Sequence, residues 1–229
     1  MTVQIMETNG GTIATFGSAT PAITTTLAST DRVVVIVSKA GSAGTPSVSG
    51  LGGTWVTNVS NATTFDLYIF STSSVTGTGT VTVNVGSSAG DYALYVLRSD
   101  VANAVVFTNG AATNVAAASG GATLSLASAS TLAGSLHLVA GYASGGVLSL
   151  PHSSASPNTG FTTDRSIGTN GLYLSRSVPA DESITAVMSS DIPYNGALAR
   201  ANYYDNHVPT GGGPSPLTST FIGWGNPIF

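Results

Sequence analysis

The stretch Thr80-Val81-Thr82-Val83-Asn84-Val85 decides how the rest of the chain is read. In an extended chain its three valines fall on one side, and Thr80, Thr82 and Asn84 fall on the other. That is the period-two pattern of a strand with one face in a core. A helix would scatter the same valines around its circumference. Working outward, Ala122 to Ala127 repeats the pattern, with Leu124 and Leu126 opposite Thr123 and Ser125. Arg32 to Val37 is a continuous β-branched run, which fits a central strand covered on both faces. Further strands are expected near Val3 to Met6, Thr12 to Phe16, Ala22 to Leu27, Trp55 to Val59, Phe65 to Phe70 and Tyr92 to Arg98. In the second half they are expected near Ser135 to Gly141, Gly171 to Ser175, Ser183 to Met188 and Ala197 to Tyr204.

Gly-, Ser- and Asn-rich turns separate these runs, as at Gly41 to Gly44, Gly86 to Gly90 and Gly145-Gly146. Helix signals are nearly absent, because Ala116 to Ala118 is too short and is bracketed by Asn114 and Gly120-Gly121. Many short strands with regular turn signals predict an all-β fold, an antiparallel double-sheet sandwich of jelly-roll or lectin-like type. The halves also align. Arg32 to Val37 matches Ser135 to Ala140, Asp66-Leu67-Tyr68 matches Gly171-Leu172-Tyr173, and Val75 with Val81 matches Val178 with Ile184. Tyr92 to Leu94 falls near Asn195 to Leu198, so the offset stays at roughly 103 to 105 residues, as in a duplicated β-unit. The expected organisation is a sandwich over 1–208, built of halves at about 1–103 and 104–208, followed by a separate segment at 209–229.

Composition narrows the function classes. Hydrophobic residues are 42% of the 229 and charged residues only 7%, against a usual charged share of about 25%. A core can therefore be built, while the surface relies on hydroxyls and amides. The net charge of −4 comes with one lysine, Lys39, and five scattered arginines, so the basic stripe that nucleic acid requires is missing. Val33 to Val37 typifies the longest strongly apolar runs, far short of the roughly 20 residues of a membrane-spanning helix. No basic stretch followed by an apolar one marks a secretory leader. Cysteine is absent, which removes disulfides and thiolate metal sites and fits synthesis in a reducing cytoplasm.

Several successive elements carry a resemblance: Asp31 to Val37, Gly52-Gly53-Thr54-Trp55, Asp66-Leu67-Tyr68, Gly77 to Val83 and Tyr92 to Leu97. Their layout resembles a β-sandwich domain recurrent in bacterial secreted proteins and in phage tail and capsid-associated proteins, over roughly residues 20 to 205. The resemblance implies an adhesive or architectural module, and it brings no catalytic residues with it.

Residues capable of chemistry each have a plainer use. Gly86-Ser87-Ser88-Ala89-Gly90 matches the G-x-S-x-G nucleophile elbow, but that motif works at a strand-to-helix turn and here a strand follows. His137, His152 and His207 have no metal-ligand spacing, and His137 alternates with Leu136 and Leu138 as if on a solvent or interface face. Glu7, Asp31, Asp66, Asp91, Asp100, Asp164, Asp181, Glu182, Asp191 and Asp205 mostly read as turn caps rather than a glycosidase pair or a calcium site. Asn58-Val59-Ser60 and Asn61-Ala62-Thr63 are formal glycosylation sequons and read as turn residues. Tyr68, Tyr92, Tyr95, Tyr142, Tyr173, Tyr194, Tyr203 and Tyr204, with Trp55, fit core and sheet-edge packing better than a sugar-stacking platform. No catalytic, cofactor or metal residue is therefore assigned, and the chain is read as a non-enzyme.

The one assigned contact is the C-terminal segment. Pro209 to Leu217 is an extended Pro/Gly linker, and Phe221, Ile222, Trp224, Ile228 and Phe229 lie in a charge-free tail suited to docking on a neighbour. The leading expectation is a phage virion structural protein, a capsid decoration, fibre or minor tail component, assembled in the bacterial host cytoplasm. Its partners would be itself and other virion proteins, with neither nucleic acid binding nor membrane insertion. A carbohydrate-binding adhesin with a cell-surface glycan as ligand is the alternative, followed by a non-classically secreted surface-layer or matrix protein.

Overall fold

In the computed structural model the Thr80–Val85 alternation is realised directly: Val81, Val83 and Val85 are fully buried, while Thr80 and Asn84 are exposed. The structure describes residues 1–41, 44–62, 65–118, 123–144, 161–167, 171–178, 182–189 and 194–206. In the first half the strands are β1 (Val3–Ile13), β2 (Ser18–Ala19), β3 (Ala22–Leu27), β4 (Arg32–Ala40), β5 (Ser47–Gly50), β6 (Val56–Asn61), β7 (Phe65–Ser73), β8 (Gly77–Asn84) and β9 (Gly90–Ser99). The second half carries β10 (Val105–Ala118), β11 (Thr123–Thr131), β12 (Leu136–Ser144), β13 (Thr162–Ile167), β14 (Gly171–Ser177), β15 (Glu182–Ser189) and β16 (Tyr194–Asp205). Among the described residues there is no helix, and every strand pairing is antiparallel.

The strands stack as a sandwich-like arrangement of sheets. One five-stranded sheet has the order β1-β9-β4-β7-β6 and a second has the order β10-β16-β12-β14-β13. Between them lies a core that takes Val34, Ile36, Leu67, Ile69 and Tyr95 from the first sheet and Leu136, Leu138, Tyr173, Ala199 and Tyr203 from the second. The opposite face of the first sheet, with Val33, Val35, Val37 and Leu94, closes a second core against the four-stranded sheet of β2, β3, β5 and β8. The Val33–Val37 run is thus buried on both faces, as a continuous β-branched strand requires. A two-stranded sheet of β11 and β15 packs near β10 and β16.

The two five-stranded orders match place for place, β1 with β10, β9 with β16, β4 with β12, β7 with β14 and β6 with β13. Of the stretches that align in sequence, those at Arg32–Val37 and Ser135–Ala140, at Asp66–Tyr68 and Gly171–Tyr173, and at Tyr92–Leu94 and Asn195–Leu198 fall on these strands, whereas Val75 with Val81 and Val178 with Ile184 fall outside them.

Some elements differ from expectation. The Val3–Met6 and Thr12–Phe16 strands are one strand, β1, which runs through Gly10-Gly11 and stops at Ile13. It carries a bulge between Ile5 and Glu7 in its pairing with β9. The bulge reverses the face parity. Val3 and Ile5 pack into the inter-sheet core, whereas Ile13 packs into the outer one and Glu7 reaches across to β3. Strands β2, β5, β10 and β13 carry no strong alternation and were not expected. β10 opens on Val105-Val106-Phe107, of which Val105 and Phe107 pack on the inter-sheet core, and continues mostly as Thr, Asn, Gly and Ala paired with β16.

Candidate functional site

Polar side chains are concentrated where the two large sheets meet. On β4, Ser38 and Tyr173 of β14 share a 2.7 Å hydrogen bond between their hydroxyls, both fully enclosed. Tyr95 of β9 donates to Asp164 Oδ2 on β13 at 3.1 Å, and Ser175 donates to Asp164 Oδ1 at 2.7 Å. Burial raises the Asp164 pKa, and these two donors only partly oppose it. Burial also holds the Tyr95 hydroxyl well above the ordinary phenol range, with the Asp164 charge adding to it. Ser99 of β9 donates to Asp205 Oδ2 of β16 at 2.5 Å. Arg32 of β4 donates to the Val105 carbonyl and to Ser71 Oγ, each at 2.8 Å. Each of these bonds joins one strand to another.

A second polar group lies on the face of the β12 sheet turned away from that core. The register places Asn109, Asn202, His137 and Arg176 in one row across four strands, with Arg200 in the next. Arg200 Nη1 donates to Asn109 Oδ1 at 3.0 Å, and Arg176 lies over the Phe161 ring at 5.9 Å from its centroid. His137 is fully buried, which corrects the expected solvent or interface placement. Neither of its ring nitrogens has a hydrogen-bond partner among the described residues. Burial, reinforced by Arg200 and Arg176, pushes its pKa down to about 4. An imidazole in that state is neutral at physiological pH and a weak base.

Among the described residues, carboxylates bond to other segments as well. Asp31 accepts from the Ala28 amide and from Arg98 and so caps its turn as expected, whereas Asp100 accepts from the Thr2 amide, 98 residues away. Asp66, Asp91, Asp164 and Asp205 instead lie within strands and are buried or half-buried, a correction to the turn-cap reading. Their partners come from other strands, which local sequence does not show. Glu7 bonds the Thr24 and Thr25 amides; burial pulls its pKa up, but these bonds outweigh it and leave the carboxyl below its usual value.

Ser88 of the G-x-S-x-G match lies in the connection between β8 and β9, so a strand follows it. Tyr68, Tyr92, Tyr95, Tyr142, Tyr173 and Tyr203 are buried, which places them in the cores rather than on a sugar-stacking platform. Trp55 is half-buried, with Nε1 donating to the Gly50 carbonyl at 3.2 Å. Asn58 and Asn61 of the sequons are hydrogen-bonded to Ser71 and to the Thr113 carbonyl. Phe16 was not singled out from sequence. It is 81% exposed, at a left-handed φ of 57° in the turn closed by Gly17 donating to Ala14. The aromatic type was visible, but the turn that projects it was not.

His152, His207, Asp181, Asp191, the Pro209–Leu217 linker and the tail residues Phe221, Ile222, Trp224, Ile228 and Phe229 lie outside the described residues. Among the described residues no group of three His, Cys, Asp or Glu side chains could hold a metal ion, and no helix is long and apolar enough to cross a membrane. No family model, curated protein or solved structure matches the chain.

Proposed function

We propose that the chain is a non-enzymatic structural protein of a phage virion, a capsid decoration, fibre or minor tail component that works through surface contacts. The observation that carries this reading is the use of its polar groups. The carboxylates and hydroxyls at the sheet interface bond one strand to another, as Asp164 does with Tyr95 and Ser175. Side chains spent this way hold a scaffold together, and the contacts with partners fall to the surface. There the tail supplies Phe221, Ile222, Trp224, Ile228 and Phe229 as an anchor. The exposed Phe16 is a further contact residue. The phage assignment rests on the resemblance over residues 20 to 205 and on the absence of cysteine, which suits assembly in a reducing cytoplasm. We read the matching strand orders as a duplicated β-unit, with halves at about 1–103 and 104–208.

The test is to probe particles purified by density gradient from a producing bacterial culture with an antibody to this chain. The reading expects the chain to band with the particles and to be labelled on their surface. Finding it only in the cell envelope, with binding on a glycan array, would replace this function with that of an adhesin.

A further inference from the structure

Lys39 is the single lysine of the chain, and it is completely enclosed. It stands on β4 directly opposite Asp66 of β7, with Nζ 3.1 Å from Asp66 Oδ2. The two side chains are 0% and 2% exposed. Nζ also donates to the carbonyl of Gly44, a residue held at φ +75°. The lysine stem lies over β9 at Gly90, where a Cβ would come within 2.9 Å of Lys39 Cβ and 2.5 Å of the Ser38 carbonyl oxygen. Tyr68 follows Asp66 on the same face of β7 and stacks on Phe70 at 5.8 Å. The pair therefore sits in a dry pocket between the first large sheet and its outer core.

A buried ion pair is costly, because its mutual attraction must repay the desolvation of both charges. A chemical route removes both charges at once. We propose that Lys39 and Asp66 condense into an intramolecular amide, a covalent cross-link between β4 and β7. A proton passes from the Nζ ammonium to the Asp66 carboxylate, giving a neutral amine beside a neutral acid. The nitrogen lone pair attacks Cγ, and the N–Cγ bond forms. The tetrahedral centre then breaks one C–O bond, and that oxygen departs as water with two of the original ammonium protons. The third stays on the amide nitrogen. The ammonium and carboxylate become one amide and one water, with no oxidant or further reactant. Register pairing supplies the proximity, which is worth a large effective concentration when reacting groups are held in place. Exclusion of water disfavours hydrolysis of the product. The cross-link is independent of what the protein binds.

The test uses the full chain, folded, incubated and then unfolded. Its intact mass is compared with the sequence mass for the same N-terminus, and its primary amines are counted with an acylating reagent. Because Lys39 is the only lysine, an uncross-linked chain has two reactive amines, the N-terminus and Lys39. The expected result is a mass lower by one water, a single reactive amine, and a branched peptide joining Lys39 to Asp66 after proteolysis. Asp66→Ala restores the second amine. Two reactive amines in the wild-type chain, or a wild-type mass with no water lost, overturn the proposal. Neither readout on the wild type depends on a variant folding.

Discussion

Ser38 and Tyr173 stand 135 residues apart and share one enclosed hydrogen bond, so each hydroxyl depends on the other. Removing either leaves a buried polar group without its partner, which costs about 1–3 kcal/mol. Removing both is less harmful than the sum. Ser38→Ala and Tyr173→Phe should each lower stability by about that amount in urea titrations, and the double variant should recover part of it. His137 makes a different prediction. Its folded-state pKa of about 4 lies below the ordinary 6.5 because of burial and then of Arg200 and Arg176. Between those values the unfolded chain binds the proton and the folded chain does not. The His137 contribution is therefore fully present above about pH 6.5 and is lost as pH falls toward about 4, at up to roughly 1.4 kcal/mol per pH unit. Unfolding measured from pH 4 to 7 should show a shallower pH slope in His137→Asn than in the wild type. Neither residue's environment was legible in sequence. The sequence placed His137 on a strand and ended the β4 run at Val37, one residue short of Ser38, and only the stacking of sheets decides that both are enclosed.

At the scale of elements, the legible strands are those whose side chains differ sharply between faces. Val81, Val83 and Val85 announce β8, and Val33 to Val37 announces β4, because burial of β-branched groups dominates their placement. β10 and β13 were missed since the Thr, Asn, Gly and Ala that follow Phe107 in β10 and the polar residues of β13 give little contrast, and their pairing with β16 and β14 is decided elsewhere in the chain. The β1 bulge was missed for the same reason. A single extra residue, Met6, lets one strand serve two cores, with Val3 on one side and Ile13 on the other. Deleting Met6 should remove the bulge and leave Ile5 opposite Leu97 and Glu7 opposite Val96 in a regular ladder, so that Ile13 keeps its place in the outer core. Truncating Ile13 to alanine instead removes most of a buried side chain, at a cost of roughly 2–5 kcal/mol. Ile13→Ala should therefore lower the denaturant midpoint well beyond deletion of Met6.

For the whole molecule, the all-β, sandwich-like class followed from composition and period, while the third layer of sheet that closes the outer core and the sites did not. Low charge with abundant aliphatic residues implied a large core and a surface of hydroxyls and amides, and the sheets enclose two cores accordingly. Tyr68, Tyr92, Tyr95, Tyr142, Tyr173 and Tyr203 fill these cores, and Asp66, Asp164 and Asp205 are tied to neighbouring segments. The central claim is that the chain acts as an assembling scaffold anchored through its C-terminal segment. Five apolar side chains there, each worth roughly 1.5–3 kcal/mol when fully buried, would offset the cost of fixing the segment on a partner if it docks as proposed. The most direct measurement is sedimentation velocity of the full chain beside a chain lacking residues 210–229, with far-ultraviolet circular dichroism on both. The account predicts an assembled full chain and a monomeric truncated chain with the same β spectrum. A truncated chain that assembles like the full one, or that loses its β spectrum, would contradict it.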